Sequence, residues 1–275
     1  MSHFSTSQTG RIACTYWILI HAVCYVLCAV VFSAYEPVHA QDSATTVDQA
    51  YLQIQPQTLK DELLKASHDS VKLYDLVRRA DHQNLANVAY NTLNEMRHQQ
   101  PRNAVVVAAY CFSFQVAAGD YDNPGRKNRP FTEAEHKSYE DALNKAYQLD
   151  PKLWLPYTVE GHYLMASPYE DVKALRLLQK AVALAPSLSY THILLAEAYT
   201  VHGTPYHSYS KAVQECETAR RLQPASAKNA DILFDIYDIR TPNRKKAADA
   251  KRYLLSTLPP GFKFSQSFEE RLARY

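Results

Sequence analysis

The chain has 275 residues, only six glycines and a formal charge of +2. That balance provides no strongly basic field for nucleic acid, and so few glycines exclude a turn-rich sheet protein of this size. Long stretches rich in Ala, Leu, Tyr, Lys and Glu point to helix instead.

The first element in chain order, residues 1–40, is an export signal. Arg11 precedes an apolar run from Ile12 to Ala34, followed by Tyr35-Glu36-Pro37 and the small-x-small end Val38-His39-Ala40. Charge, apolar core and cleavage end in that order read as a secretory signal peptide cut after Ala40, with Pro37 keeping the cleavage segment extended. The run is 23 residues, enough to span a bilayer if it is left uncut. The alternative is therefore a signal anchor in the inner membrane, the one case in which membrane contact is expected. Both readings keep Arg11 on the cytoplasmic side and place the rest in the periplasm or outside the cell. Of five cysteines, Cys14, Cys24 and Cys28 fall in this segment; Cys111 and Cys216 read as buried apolar thiols rather than a disulfide.

Residues 41–58 read as a linker, and a helical pattern runs from Leu59 to the end, giving a repeat domain over 59–275. Pro151, Pro186, Pro224 and Pro259 stand 35, 38 and 35 residues apart, each closing a similar phrase, as in LNKAYQLDP and LQKAVALAP. A period in this range marks stacked helical hairpins that bury their apolar faces only against neighbours. Ahead of Pro101, Ala89, Leu93 and Met96 occupy fixed offsets. The equivalent sets are Tyr139, Leu143, Ala146; Ala174, Leu178, Ala181; Ala212, Cys216, Ala219; and, less regularly, Ala247, Lys251, Leu254. Offsets of four and three put each set on one helical stripe, and small residues there suit a close helix crossing.

Those stripes with their closing prolines, together with Leu195-Ala196-Glu197-Ala198-Tyr199, Tyr157-Gly161-Leu164 and Leu233-Phe234-Tyr237 in the preceding helices, resemble the tetratricopeptide repeat family over about residues 70–259. The resemblance implies an all-α fold: a right-handed α-solenoid of about five helix-turn-helix repeats, closed by a C-terminal capping helix. It also implies that the first helix of each repeat lines a concave groove. The family's ligand-facing places then fall on Phe112, His162, Tyr190, Glu197, Asp231, Asp235 and Asp238, apolar and aromatic at one end and acidic at the other. Members that grip a peptide's C-terminal carboxylate use Lys and Asn there. This chain has Ala108, Phe112, Thr158, His162, Ile193, Glu197, Asp231 and Asp235 instead, which argues against such tails. A protein or peptide carrying an apolar segment followed by basic residues complements the groove.

Helix starts are expected at Ser167-Pro168, Thr204-Pro205 and Thr241-Pro242, and a capping box at Thr132 with Glu135. The span from Pro101 to Pro151 carries an insertion at about 117–130, dense in Gly, Asn, Asp and Pro, read as a surface loop or as a binding loop using Tyr121, Arg126, Lys127 and Arg129. Residues 261–275 are expected to cap the stack through Phe262, Phe264 and Phe268, with Glu269, Glu270, Arg271 and Arg274 facing water.

Motifs for nucleotide, metalloprotease or serine-hydrolase chemistry are missing from the chain. His202 and His207, the closest histidine pair, flank a turn without the further ligands a metal site needs. No cofactor or metal is expected. The sequence thus points to an exported, non-catalytic protein–protein interaction scaffold. One alternative is a membrane-anchored envelope assembly factor with the same repeats. Another is a glycan-active enzyme on a helical frame, which would need two carboxyls roughly 5–10 Å apart in one pocket.

Overall fold

A computed structural model describes residues 47–118, 132–165, 170–201 and 203–275. Residues 1–46, where the export signal is expected, most of the insertion, Ser167-Pro168-Tyr169 and His202 lie outside the described residues. Among the described residues there is no strand, and no helix is long and apolar enough to cross a membrane.

A short 3-10 turn at Gln49–Tyr51 precedes α1 (Pro56–Lys65). Five antiparallel pairs follow: α2 (Ser70–His82) with α3 (Ala86–Gln99), α4 (Ala104–Ala118) with α5 (Glu133–Leu149), α6 (Trp154–Met165) with α7 (Asp171–Leu184), α8 (Ser189–Thr200) with α9 (Tyr209–Leu222), and α10 (Ala227–Asp235) with α11 (Arg244–Thr257). A short α12 (Gln266–Leu272) ends the chain. The protein is an all-helical solenoid of paired helices.

The stripes on the second helices are its core. Ala89, Leu93, Ala146, Ala174, Leu178, Ala181, Ala212, Cys216, Ala219 and Ala247 are buried, while Lys251, at the same place in the last pair, is only half-buried. How close the crossings are shows at Gly161: a Cβ there would lie 2.8 Å from Leu178 Cγ and 3.3 Å from the Ala174 carbonyl. Every second helix stops just before its proline, which has no N–H to continue the ladder.

Caps fix the other ends. Thr132 and Glu135 form the expected capping box on α5. The expected Thr-Pro starts are corrected: α9 is capped by Ser208 and α11 by Asn243, each accepting from a backbone N–H of the first turn. Both threonines bond backwards instead, Thr204 to the Val201 carbonyl and Thr241 to the Ile236 carbonyl, so they close the preceding segment. That closure at Thr241 ends a π turn over Ile236–Arg240, into which α10 runs. Between α2 and α3, Asn84 adopts a left-handed φ of 57°, a conformation Asn tolerates through its short polar side chain.

From Val47 onward, the segment read as a linker is packed on the array. Asp48 is buried; its N–H donates to the Thr257 carbonyl and its carboxylate accepts from the Ala227 N–H at the start of α10.

Candidate functional site

The first helices α2, α4, α6, α8 and α10 lie side by side, and one residue shows that their shared face is curved. Tyr74 on α2 stacks on Phe112 of α4 (4.5 Å between centroids, 8° between planes) and also meets Trp154 of α6 and Tyr190 of α8. A single ring touches three successive first helices only if they wrap around it. Trp154 Nε1 also donates to Ser70 at the start of α2, and the Arg78 guanidinium lies 4.8 Å over the Tyr190 ring. Arg78 in turn pairs with Asp48 at 3.8 Å, both side chains nearly inaccessible. Helix α2 and the segment before it therefore fill the inner face at its aromatic end.

That placement decides what the expected groove residues present. Phe112 is fully buried and Tyr190 nearly so, both covered by α2. His162 is half-buried on α6, with Nε2 4.0 Å from a Glu197 oxygen. The other Glu197 oxygen accepts from Lys228 at 2.9 Å, which ties α8 to α10.

At the acidic end the three aspartates have different company. Asp238 is buried and accepts from Arg271 Nε at 2.7 Å and from the Tyr275 hydroxyl at 2.8 Å. Burial disfavours its charge, but those two donors outweigh burial and hold its carboxyl below the usual range. Asp235 accepts from Arg271 at 3.1 Å and Arg240 at 3.3 Å. Arg271 thus does not face water as expected; two carboxylates and the faces of Phe234 and Phe268, each 5.3 Å away, hold it inward. Glu269, Glu270 and Arg274 are exposed.

Asp231, by contrast, has no hydrogen bond among the described residues and faces a cavity of about 350 Å3. Tyr51, Phe262, Phe264, Phe268, Leu254 and Leu258 form its apolar walls, with Arg78, His82, Lys228 and Lys263 around them. The carboxylate is half-open to solvent yet surrounded by protein on most sides, as in the wall of a cleft. Burial raises its pKa to about 6; Lys228 opposes that and Asp235 adds to it. A pocket of this volume, with apolar walls and the Asp231 carboxylate at its edge, can seat a side chain or a small group.

The sequence reading missed Asp48, Tyr74, Arg78, Arg271 and Tyr275. Only the last two had a signal: a cationic, aromatic tail (Arg271 to Tyr275) in a chain with three carboxylates on one face. Both described cysteines are free and buried, and burial pushes their thiols well above the usual range, away from nucleophilic use. Among the described residues no three His, Cys, Asp or Glu side chains converge as metal ligands.

Fold and inner face together define a helical-repeat scaffold. No protein-family model matches the chain, and no curated protein matches it. Solved structures give distant matches. A thermophilic TPR protein of Thermus thermophilus is 17% identical, covering 73% of this chain and 89% of that one with a TM-score of 0.44. The ArsTM double mutant of MamA RS-1 is 19% identical over 68% of this chain and 93% of its own, with a TM-score of 0.43. MamA is 17% identical over 74% and 97%, with a TM-score of 0.40.

Proposed function

We propose that this protein is an exported, non-catalytic scaffold that binds a protein or peptide on the inner face of its repeats, with the Asp231 cavity as the point of entry. The observation that carries the reading is the contrast among the carboxylates. Asp235 and Asp238 are already bonded, whereas Asp231 has no hydrogen bond among the described residues and faces an aromatic-walled cavity. Two wall cations have other partners, Arg78 with Asp48 and Lys228 with Glu197, while Lys228 also favours the Asp231 charge and Lys263 stands on the same wall. A ligand that puts an apolar side chain into the cavity and a basic group beside Asp231 satisfies both features. Phe112 and Tyr190 support that face from below by holding α2, and His162 and Glu197 border it.

The test is to tag the full chain in its own cells and purify it from envelope extract with and without Asp231→Lys. A near-stoichiometric partner, retained at low salt by the wild type and lost with the variant, supports the reading. A partner held equally by both refutes the Asp231 site. The 23-residue apolar run favours a second form, in which the same domain stays anchored in the inner membrane. Intact chain in the membrane fraction after alkaline washing would select it.

A further inference from the structure

We propose that residues 262–275 are an intramolecular stand-in for the partner: a displaceable tail that occupies the acidic end of the inner face and gates the Asp231 cavity. This rests on the groove reading above and adds the partner's chemistry, a short amphipathic helix with aromatic residues and one arginine on a single face.

The tail is attached in a different way from the rest of the molecule. Among residues 261–275 only Leu272 is buried, whereas α11 just before it buries Ala247, Ala250, Tyr253 and Leu254. Helix α12 has seven residues, too few to persist without outside contacts. Those contacts are mainly polar and aromatic: Arg271 to Asp235 and Asp238, the Tyr275 hydroxyl to Asp238, and edge contacts of Phe268 and Tyr275 on Phe234. Phe268 and Arg271, three apart, share one face of α12, with Phe264 in contact just before the helix and Tyr275 just after it. An amphipathic helix seated in a groove uses that spacing.

The tail also forms part of the cavity. Phe262, Lys263, Phe264, Ser265 and Phe268 make one wall of the space that Asp231 faces. Departure of the tail therefore opens the cavity, frees Asp238 and leaves Asp235 with Arg240 alone. Where it leaves the array, Gly261 has φ +79° after Pro259 and Pro260, a left-handed position at which glycine turns the chain without strain.

The experiment uses the full chain and a fluorescent synthetic peptide of residues 261–275. Arg271→Glu sets a carboxylate against Asp235 and Asp238 and ejects the chain's own tail, while the receiving face stays intact. Hydrogen exchange of residues 262–275 reports ejection, and fluorescence anisotropy at low salt reports binding in trans. The expected result is a tail that exchanges freely and a peptide bound at least tenfold tighter than by the wild type, with the gain abolished by adding Asp238→Asn. Phe268→Ala ejects the tail by an apolar route and should give the same gain, so a misfolded Arg271→Glu would not leave the matter undecided. A tail that stays protected in both variants overturns the gate and leaves the groove reading standing. A tail that is released without any gain in peptide binding overturns the gate and the groove reading together.

Discussion

The middle of the array and its last unit are built on the same stripe of small residues but are held in different ways. Across α6 to α9 the crossings are apolar and close: Gly161 admits Leu178 to contact, and Ala174, Ala181, Ala212 and Ala219 are inaccessible. In the last unit, Lys251 stands on the stripe, α10 loosens into a π turn, and the inner face is closed by Arg271 and Tyr275 on carboxylates. The middle gains most of its stability from complementary shape, which salt barely affects and pH reaches chiefly through His192. The end depends on charge, which both of them alter.

The largest expected loss comes where the last unit meets the start of the chain. Asp48→Ala removes one carboxylate partner of the buried Arg78 and the acceptor for the Ala227 N–H. Breaking a buried pair from one side costs about 3–5 kcal/mol, and each kcal/mol lowers the melting temperature of a domain this size by roughly 2–4 °C. Thermal melts of Asp48→Ala against wild type read it directly, and a shift of under about 3 °C would deny the closure any energetic role.

Next come the close crossings. Ala181→Leu and Ala219→Leu should cost about 1–3 kcal/mol by overpacking. For Gly161→Ala the signs compete: the helix gains up to about 1 kcal/mol in propensity, but the new methyl meets Leu178 at 2.8 Å and a backbone carbonyl at 3.3 Å. The backbone carbonyl cannot swing away, so net destabilisation is expected in urea unfolding. A stabilised Gly161→Ala would mean that this crossing is looser than its geometry indicates.

Titration should separate the two regions by sign. His192 on α8 is buried, with both ring nitrogens on acceptors, Glu215 at 2.6 Å and the Pro186 carbonyl at 2.9 Å. Burial opposes its charge, but those two bonds prevail and raise its pKa. Its contribution is full below the ordinary histidine range and is lost as pH rises through the raised value. Asp238 is depressed, so its contribution is full above the ordinary carboxylate range and is lost as pH falls through the lowered value. Residue-resolved hydrogen exchange should therefore show α8–α9 loosening toward alkaline pH and α12 toward acid. Parallel changes in both regions would contradict that assignment.

The same division explains what could be read from the chain. The second helices were legible because Ala, Leu and Cys recur at fixed offsets from prolines, and packing at a close crossing tolerates little else. The occupation of the inner face was not legible. Asp48 and Ala227 are 179 residues apart, and Tyr74 and Arg78 sit on a first helix that carries none of the quoted repeat signatures. Thr204 and Thr241 carried a true turn signal but in the wrong direction, because a threonine hydroxyl can cap forward or bond backward with the same sequence. Asp231, Asp235 and Asp238 were legible as one acidic face; which of them is spoken for depends on Arg271, beyond the reach of helical periodicity.

The smallest expected effect tests that last distinction. Asp231 carries a carboxyl raised to about 6 by burial, so it is partly protonated near that pH and charged well above it. A ligand that brings a cation to Asp231 needs the charged form, and its binding should strengthen as pH rises through about 6 and then level off. For stability the sign is reversed: the folded state holds the proton that the unfolded state releases, so this group makes the fold less stable as pH rises from the ordinary carboxylate range to about 6. Asp231→Asn should abolish both slopes while leaving the Arg271 bonds to Asp235 and Asp238 in place. If the variant keeps the pH dependence of binding, Asp231 is not the group that senses the ligand.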